Sequence, residues 1–398
     1  MAPASHEVAT SSRMHQGNSN SPRAAAERAH RRLHRWLVES AYPLWSTRGY
    51  DQLRGGFQER LNTAGEPLEE PRRARVQPRQ VYAFACAPEL GWTGPAEDLV
   101  LQGLKLFFRR YRRPDGLFRT LAAPDGSMLD DRALLYDQAF ALLGLAAATR
   151  FELSDIDPEE EADRLRLTVM RTLKRNDAPG FCTADPPELP LQSNPQMHLL
   201  EASLAWAEIG DHDTWLELAG EIVGLALAHF IDAERGCLRE FFDEEWKPVP
   251  GLHGRVLEPG HHFEWAWLLL RWKGKDAART RQIALALIRT AERHGVREGF
   301  AINSLLDDFS AHDSAARLWP QTERLKANVL AARITGEAAY WRPAAEAAEQ
   351  LERYLQTPLA GLWFDRWLTT LEFGSEPAPA SSFYHIVGAI AELGVALR

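Results

Sequence analysis

The chain has 398 residues, 45% apolar and 25% charged, with 46 basic and 55 acidic side chains and a net charge of −9. That is the balance of an ordinary globular protein. The acidic excess argues against a nucleic-acid binder, which needs a basic face to displace counterions from phosphate. Three cysteines (Cys86, Cys182, Cys237) lie far apart in no CxxC pair, which offers no disulfide framework or zinc knuckle and fits a reducing compartment.

The N-terminal stretch is rich in Ser, Asn, Ala and His and has no apolar core. Residues 1–24 are therefore expected to be a disordered tail rather than a signal peptide, and 25–398 a single domain. No segment is expected to span a membrane: the most apolar run near the middle, Trp265 to Leu270, is far short of the roughly 20 residues required. A cytoplasmic location follows as an expectation, and the same reading expects no membrane or nucleic-acid partner.

A glycine followed by apolar or aromatic residues, and in most cases a charge, recurs along the chain. The markers are Gly56, Gly116, Gly180, Gly236, Gly299 and Gly361, with steps of 60, 64, 56, 63 and 62 residues. The instances at 180 and 299 lack the charge. Such self-similarity is the mark of a repeat architecture.

The elements between markers read as helices, with strand-like alternation only near the glycines. Phe57 to Leu61 reads as extended. Leu199 to Ile209 and Thr214 to Phe230 carry apolar residues at i, i+3, i+4 and i+7. A second extended piece spans Leu238 to Phe242. Helices follow over His262 to Trp272, Arg281 to Arg293, Thr322 to Ile334 and Ala344 to Leu355. Ala, Leu, Glu and Arg dominate these stretches, and all are good helix formers. Each unit holds two helices and a short extended turn. Six such hairpins predict an all-α (α/α)6 barrel. An open solenoid is the alternative, but solenoid repeats are usually shorter, about 33–47 residues.

Polar helix starts recur some 18 to 25 residues after each marker. They are Gln77-Pro-Arg79-Gln, Tyr136-Asp-Gln, Asn194-Pro-Gln-Met-His198, Glu258-Pro-Gly-His261-His-Phe-Glu264, Trp319-Pro-Gln321-Thr-Glu323 and Ser381-Ser-Phe-Tyr-His385. Proline suits the first helical position, where its missing N–H needs no partner, and Asn194 and Ser381 or Ser382 are good N-caps. In a closed ring these first turns share one mouth. Arg79, His198, His261, Glu323 and His385 would then converge there.

A helix N-terminus disfavours imidazolium, so these histidines are expected to be neutral near pH 7. A neutral imidazole takes or returns a proton. Two of them, with an arginine to stabilise an oxyanion, suffice to move a proton beside a carbonyl. Glu264 and Glu323 would orient a histidine or bind hydroxyls, and Trp319 is the best-placed stacking platform. Phosphate-cradling loops, GxSxG elbows and dinucleotide fingerprints are absent from the sequence.

Duller roles stand beside these. His262 points about 100° away from His261 and reads as packing. Arg72, Arg73 and Arg75 read as exposed helix charges, and Glu159 to Glu161 as a solvated acidic turn. A three-histidine zinc site lacks a supporting cysteine or i, i+4 histidine pair. A glycoside hydrolase would need facing carboxylates such as Asp137 with Glu323. A non-catalytic sugar- or protein-binding barrel would leave the histidines structural.

Taken together, Arg79 with Tyr82 and Phe84, Asn194-Pro-Gln-Met-His198-Leu-Leu-Glu-Ala, Glu258-Pro-Gly-His261-His-Phe-Glu264-Trp, Leu318-Trp-Pro-Gln-Thr-Glu323 and Phe383-Tyr-His385 resemble the N-acylglucosamine 2-epimerase family. That family includes mannose isomerases and cellobiose 2-epimerases. The match covers about residues 30 to 396. The resemblance implies an (α/α)6 barrel that isomerises or epimerises a sugar at C1 and C2 without a required metal or redox cofactor. It implies His261 and His385 as the general acid/base pair and Arg79 as the residue holding the oxygens at C1 and C2. Asn194, His198 and Glu264 would assist ring opening or bind hydroxyls; Tyr136, Trp319, Gln321 and Glu323 complete the expected sugar site.

The N-acylglucosamine epimerases carry a Lys-Gly-rich segment before the final histidine. Here it is Pro379-Ala-Ser-Ser-Phe-Tyr, which points to a simple hexose such as mannose. The expected reaction is D-mannose to D-fructose through a cis-enediolate, with 2-epimerisation as the alternative, in a monomer or homodimer acting on a small monosaccharide.

Overall fold

A computed structural model describes residues 21–209 and 212–398. Its helices run in chain order α1 (Pro22–Trp36), α2 (Tyr42–Thr47), α3 (Val76–Ala85), α4 (Ala96–Tyr111), α5 (Leu135–Ala148), α6 (Pro158–Thr172) and α7 (Ser193–Ala207). They continue with α8 (His212–Leu225), α9 (Pro259–Arg271), α10 (Ala277–Gly295), α11 (Leu318–Thr335), α12 (Trp341–Tyr354) and α13 (Phe383–Leu397). A π-helical turn over Leu37–Ala41 joins α1 to α2; Pro43, at the start of α2, supplies no amide proton there.

The odd-numbered helices from α3 to α13 form an inner ring, each packed on the next, and α13 returns to α3. That last contact closes the (α/α)6 barrel, which an open solenoid would lack. Composition explains the two layers. Inner helices such as α5 and α11 are buried on every face, so they read as apolar all round. Outer helices bury one stripe, as α6 does with Ala162, Leu165, Thr168 and Val169.

Several expectations need correction. The helices begin a few residues before the apolar periodicity does, because their first turns are the polar ones. The expected tail lies largely outside the described residues, but its last three positions are helical. Ser21 caps α1 by accepting from the Ala24 amide. The acidic run Glu159 to Glu161 is the first turn of α6, capped by Asp157, where carboxylates favour the positive helix end. The segment Ala380–Leu397 is long and apolar enough to cross a membrane by length and composition, with mean hydropathy 1.4 over 18 residues. Its apolarity follows from its place between α3 and α11.

The marker glycines sit at tight turns. Gly361 has φ +98°, and a Cβ there would lie 2.7 Å from the carbonyl oxygen of Ser40. The extended pieces are two-residue ladders: Arg60–Leu61 pairs with Ala378–Pro379, and Phe241–Phe242 with Leu191–Gln192. They link neighbouring units around one mouth.

Candidate active site

A cavity of about 700 Å³ opens at the mouth where the inner helices begin. That is a typical size for a small-molecule site. Eight of the ten residues singled out from the sequence line it: Arg79, Tyr136, Asn194, His198, His261, Glu264, Trp319 and His385. They come from six different helices, and ring closure alone brings them together. A second space of about 810 Å³ lies at the opposite end. Lys326 and Tyr384 reach into it from beneath the first cavity.

Gln321 and Glu323 do not line the first cavity. Gln321 spends its side chain on the Ala301 backbone, accepting from N–H and donating to C=O at 2.8 Å each. Gln77 and Gln138 clamp Phe57 and Phe118 in the same way. In the fourth unit His262 takes the equivalent place, its Nε2 accepting from the Leu238 amide. Glu323 is fully buried and accepts from His385 Nδ1 at 2.8 Å and from Lys326 Nζ at 2.8 Å.

The three histidines are each anchored through Nδ1. His385 leans on Glu323, His261 on Glu240 Oε2 at 3.0 Å, and His198 on Glu201 Oε2 at 3.1 Å. An Nδ1–H donated to a carboxylate leaves Nε2 as the nitrogen free to meet a ligand. Ser193 Oγ steadies Glu240 by donating to it at 2.9 Å. The Trp319 ring lies 5.1 Å from the His261 ring and 5.8 Å from the His385 ring. The two imidazoles therefore flank one indole, within reach of one small molecule.

Their charge states differ, against the expectation of a uniformly neutral set. Burial, then the positive charges of Arg79 and Lys326, hold His385 well below the ordinary histidine range. Burial also pushes His198 down to about 4. Burial opposes charge on His261 as well. There, however, Glu240 and Glu258 outweigh it, with the Glu240 hydrogen bond and Glu264 adding to them, and the imidazole is pushed up to about 10. Helix-end dipoles are weaker than carboxylates at hydrogen-bond distance.

The carboxylates divide in the same manner. Burial opposes charge on Glu201, yet its bond from His198 and the field of Lys326 bring it down to about 2. Burial and the neighbouring Glu323 carry Glu264 well above the usual carboxylate range, which favours its protonated form. Tyr384 Oη donates to Glu201 at 3.0 Å and lies 3.4 Å from Glu264 Oε1.

Arg79 donates to the Ser381 carbonyl at 3.1 Å and to the Tyr136 hydroxyl, and its guanidinium lies 3.9 Å over the Phe140 ring. Its buried Nε has no hydrogen-bond partner. Arg72, Arg73 and Arg75 are not exposed helix charges. Arg72 is buried on Asp51 at 2.6 Å, Arg73 pairs with Glu59, and Arg75 holds the buried Asp137 at 2.8 Å. Asp137 is thereby kept off the cavity, so it forms no facing pair with Glu323.

Two mixed clusters, His198–Glu201–Glu264 and Glu264–Glu323–His385, hold donor atoms within 4.8 Å of one another. The three histidines do not form one group. In the second cluster Lys326 already lies against Glu323.

Sequence reading missed Glu240, Glu258, Glu201 and Lys326. A signal existed for the first: Glu240 is the charge that follows marker Gly236, and Asp365 stands equally after Gly361. That charge reaches the mouth because the turn after the glycine leads back toward it.

Residues 55–389 match the model of the N-acylglucosamine 2-epimerase (GlcNAc 2-epimerase) family. The chain is 46% identical over 377 residues to a mannose-6-phosphate isomerase of Rhizobium meliloti (strain 1021), covering 91% of this chain and 96% of that one. It is 28% identical over 315 residues to a D-mannose isomerase of Thermobifida fusca, covering 70% and 74%. The fold is similar to that of cellobiose 2-epimerase from Spirochaeta thermophila DSM 6192, with a TM-score of 0.82, 20% identity and coverage of 95% and 98%. The chain belongs to the N-acylglucosamine 2-epimerase family and is a sugar isomerase or epimerase.

Proposed function

We propose that the protein converts an aldohexose of the mannose type, free or 6-phosphorylated, to the 2-ketose by moving a proton from C2 to C1. The observation that carries this reading is the pair of imidazoles flanking Trp319 with opposite charge states. Groups whose surroundings drive their pKa values apart are matched to acid and base roles. The names of the two relatives bring both mannose and its 6-phosphate into scope.

His385 is the base. Glu323 holds its Nδ1–H, and neutral Nε2 removes the C2 proton once the ring is open. The electron pair left at C2 forms the C1–C2 double bond, and negative charge gathers on O1. Arg79, with one buried nitrogen uncommitted, and cationic His261 stabilise that charge as preorganised donors. His385 then returns the proton to C1, while His261 gives a proton to O1 and takes the hydroxyl proton from O2, so that the carbonyl forms at C2. Glu264, whose burial favours its acid form, and neutral His198 assist ring opening, the first as donor and the second as acceptor. Asn194 and Tyr136 hold hydroxyls, and Trp319 supports the sugar chain.

If His261 instead delivers a proton to the opposite face of C2, the product is the 2-epimer. Incubation with mannose and with mannose 6-phosphate in deuterated water separates the outcomes. Isomerisation places deuterium at C1 of the ketose, and epimerisation at C2 of glucose or its phosphate. Absence of both label and ketose or epimer product from both substrates would refute proton transfer at this site.

A further inference from the structure

We infer that Arg317 and Arg366 form a subsite for a phosphoryl group on C6 of the sugar, so that the preferred substrate is the hexose 6-phosphate. This deepens the reading above and rests on it.

The two arginines are exact register partners in the antiparallel ladder that joins Ala316–Arg317 to Arg366–Trp367. Directly opposed residues project from the same face, and like charges there are destabilising. A second unfavourable placement adds to the first. Arg317 is the N-cap residue of α11 and its side chain makes no cap bond, so a cation stands at the positive end of an 18-residue helix.

Among the described residues neither guanidinium is closely paired. Arg317 comes no nearer than 3.9 Å to Glu258, and Arg366 no nearer than 3.9 Å to Asp365. Three other mouth arginines differ: Arg60, Arg73 and Arg75 are held by Glu70, Glu59 and Asp137. Arg79 is committed to the Ser381 carbonyl and the Tyr136 hydroxyl.

Position completes the case. Both arginines line the cavity, with side chains 39% and 53% exposed and so open to a ligand. Arg317 lies 5.6 Å over the Trp319 ring, the same ring that His261 and His385 flank. A hexose with C1 and C2 at the imidazoles and its chain on Trp319 meets the ring over which Arg317 lies, and Arg366 stands opposite Arg317 in the ladder. Two guanidinium forks and a helix N-terminus suit a tetrahedral dianion.

The test compares kcat/KM for mannose 6-phosphate and mannose in the wild type, R317Q, R366Q and the double variant. The wild type is expected to favour the phosphate, and each single substitution to reduce that ratio by about 10- to 100-fold, as loss of a charge-assisted contact does. Inorganic phosphate is expected to compete with mannose 6-phosphate in the wild type and to lose potency by a similar factor in the double variant. Melting temperature should hold or rise as the like-charge repulsion is relieved; a merely structural pair would lower it. A wild type with no preference for the phosphate, or a double variant that keeps it, would overturn the subsite. Label transfer into mannose alone would still uphold the proposed reaction, so the two readings fail separately.

Discussion

Two histidines that look alike in sequence end in opposite protonation states because of the carboxylates beside them. Glu240 and Glu258 make His261 a cation, whereas burial beside Arg79 and Lys326 keeps His385 neutral. His385→Ala and His261→Ala are each expected to lower kcat by about 10²–10⁴-fold, the usual worth of a general acid or base, with circular dichroism unchanged. The kcat/KM profile should be level through neutral pH and fall on the alkaline side near 10, where free-enzyme His261 loses its proton. Glu240→Gln removes the strongest opposing charge, so this limb should move to lower pH. A profile that stays put would contradict the role given to Glu240. Stability follows the same logic. The folded pKa of His261, about 10, lies above the ordinary histidine value of 6.5. Its contribution is therefore complete below that ordinary value and is lost as pH rises through the folded one. The urea midpoint should fall between neutral pH and pH 10 by more in the wild type than in His261→Gln.

A repeated glutamine is a fastener of the repeat rather than a sugar ligand. Gln77, Gln138 and Gln321 each bond both backbone groups of a residue just past the marker glycine, Gln196 donates to Phe181 at 2.9 Å, and His262 serves the fourth unit. The first turn of an inner helix therefore does two jobs, split by direction around the axis. Arg79 lies two positions after Gln77, about 200° round the helix, and lines the cavity while the glutamine locks the turn. Gln321→Leu should leave a buried N–H and C=O unpaired, at about 1–3 kcal/mol each, while KM for the sugar stays near wild type. A raised KM with an unchanged urea midpoint would instead support sugar binding by Gln321. Phase along the chain identified these positions, but phase carries no direction. That is why Gln321 reads as a ligand by phase although its side chain closes a turn, and why it takes the 100° offset from His261 to read His262 as packing.

The seam of the ring is covered by the first described helix packing on the last. The first helix, α1, is an outer one that packs on α13, the last and inner one, and on α12. Arg23 donates to the Leu397 carbonyl at 3.1 Å, and Arg32 forms a two-pronged bond with Glu352 at 2.9 Å. Helices α1 and α13 that meet allow the chain to be rejoined there and reopened elsewhere. A circular permutant that joins residue 398 to residue 21 through a Gly/Ser linker and opens at Gly274, between α9 and α10, is expected to keep its helical circular dichroism and wild-type kcat. The cut lies in a turn where inner helices end, away from the mouth with the histidines. Loss of cooperative unfolding in this permutant would show that closure depends on chain order and not on packing.

What the linear order of residues determined is the number of units, their two-helix character and the polar first turns that hold Arg79, His198, His261 and His385. All of these are local: periodicity, helix propensity, proline and glycine positions act within a few residues. Charge state, partner and direction belong to the tertiary structure alone. Glu240 stands 21 positions before His261, Glu323 62 before His385, and Arg366 49 after Arg317. Those pairs meet because each turn folds back onto its own helix or packs on the next hairpin. The carboxylate that reaches an imidazole, and the two arginines forced to face each other, follow from that geometry, since electrostatic energy depends on distance in space and on burial.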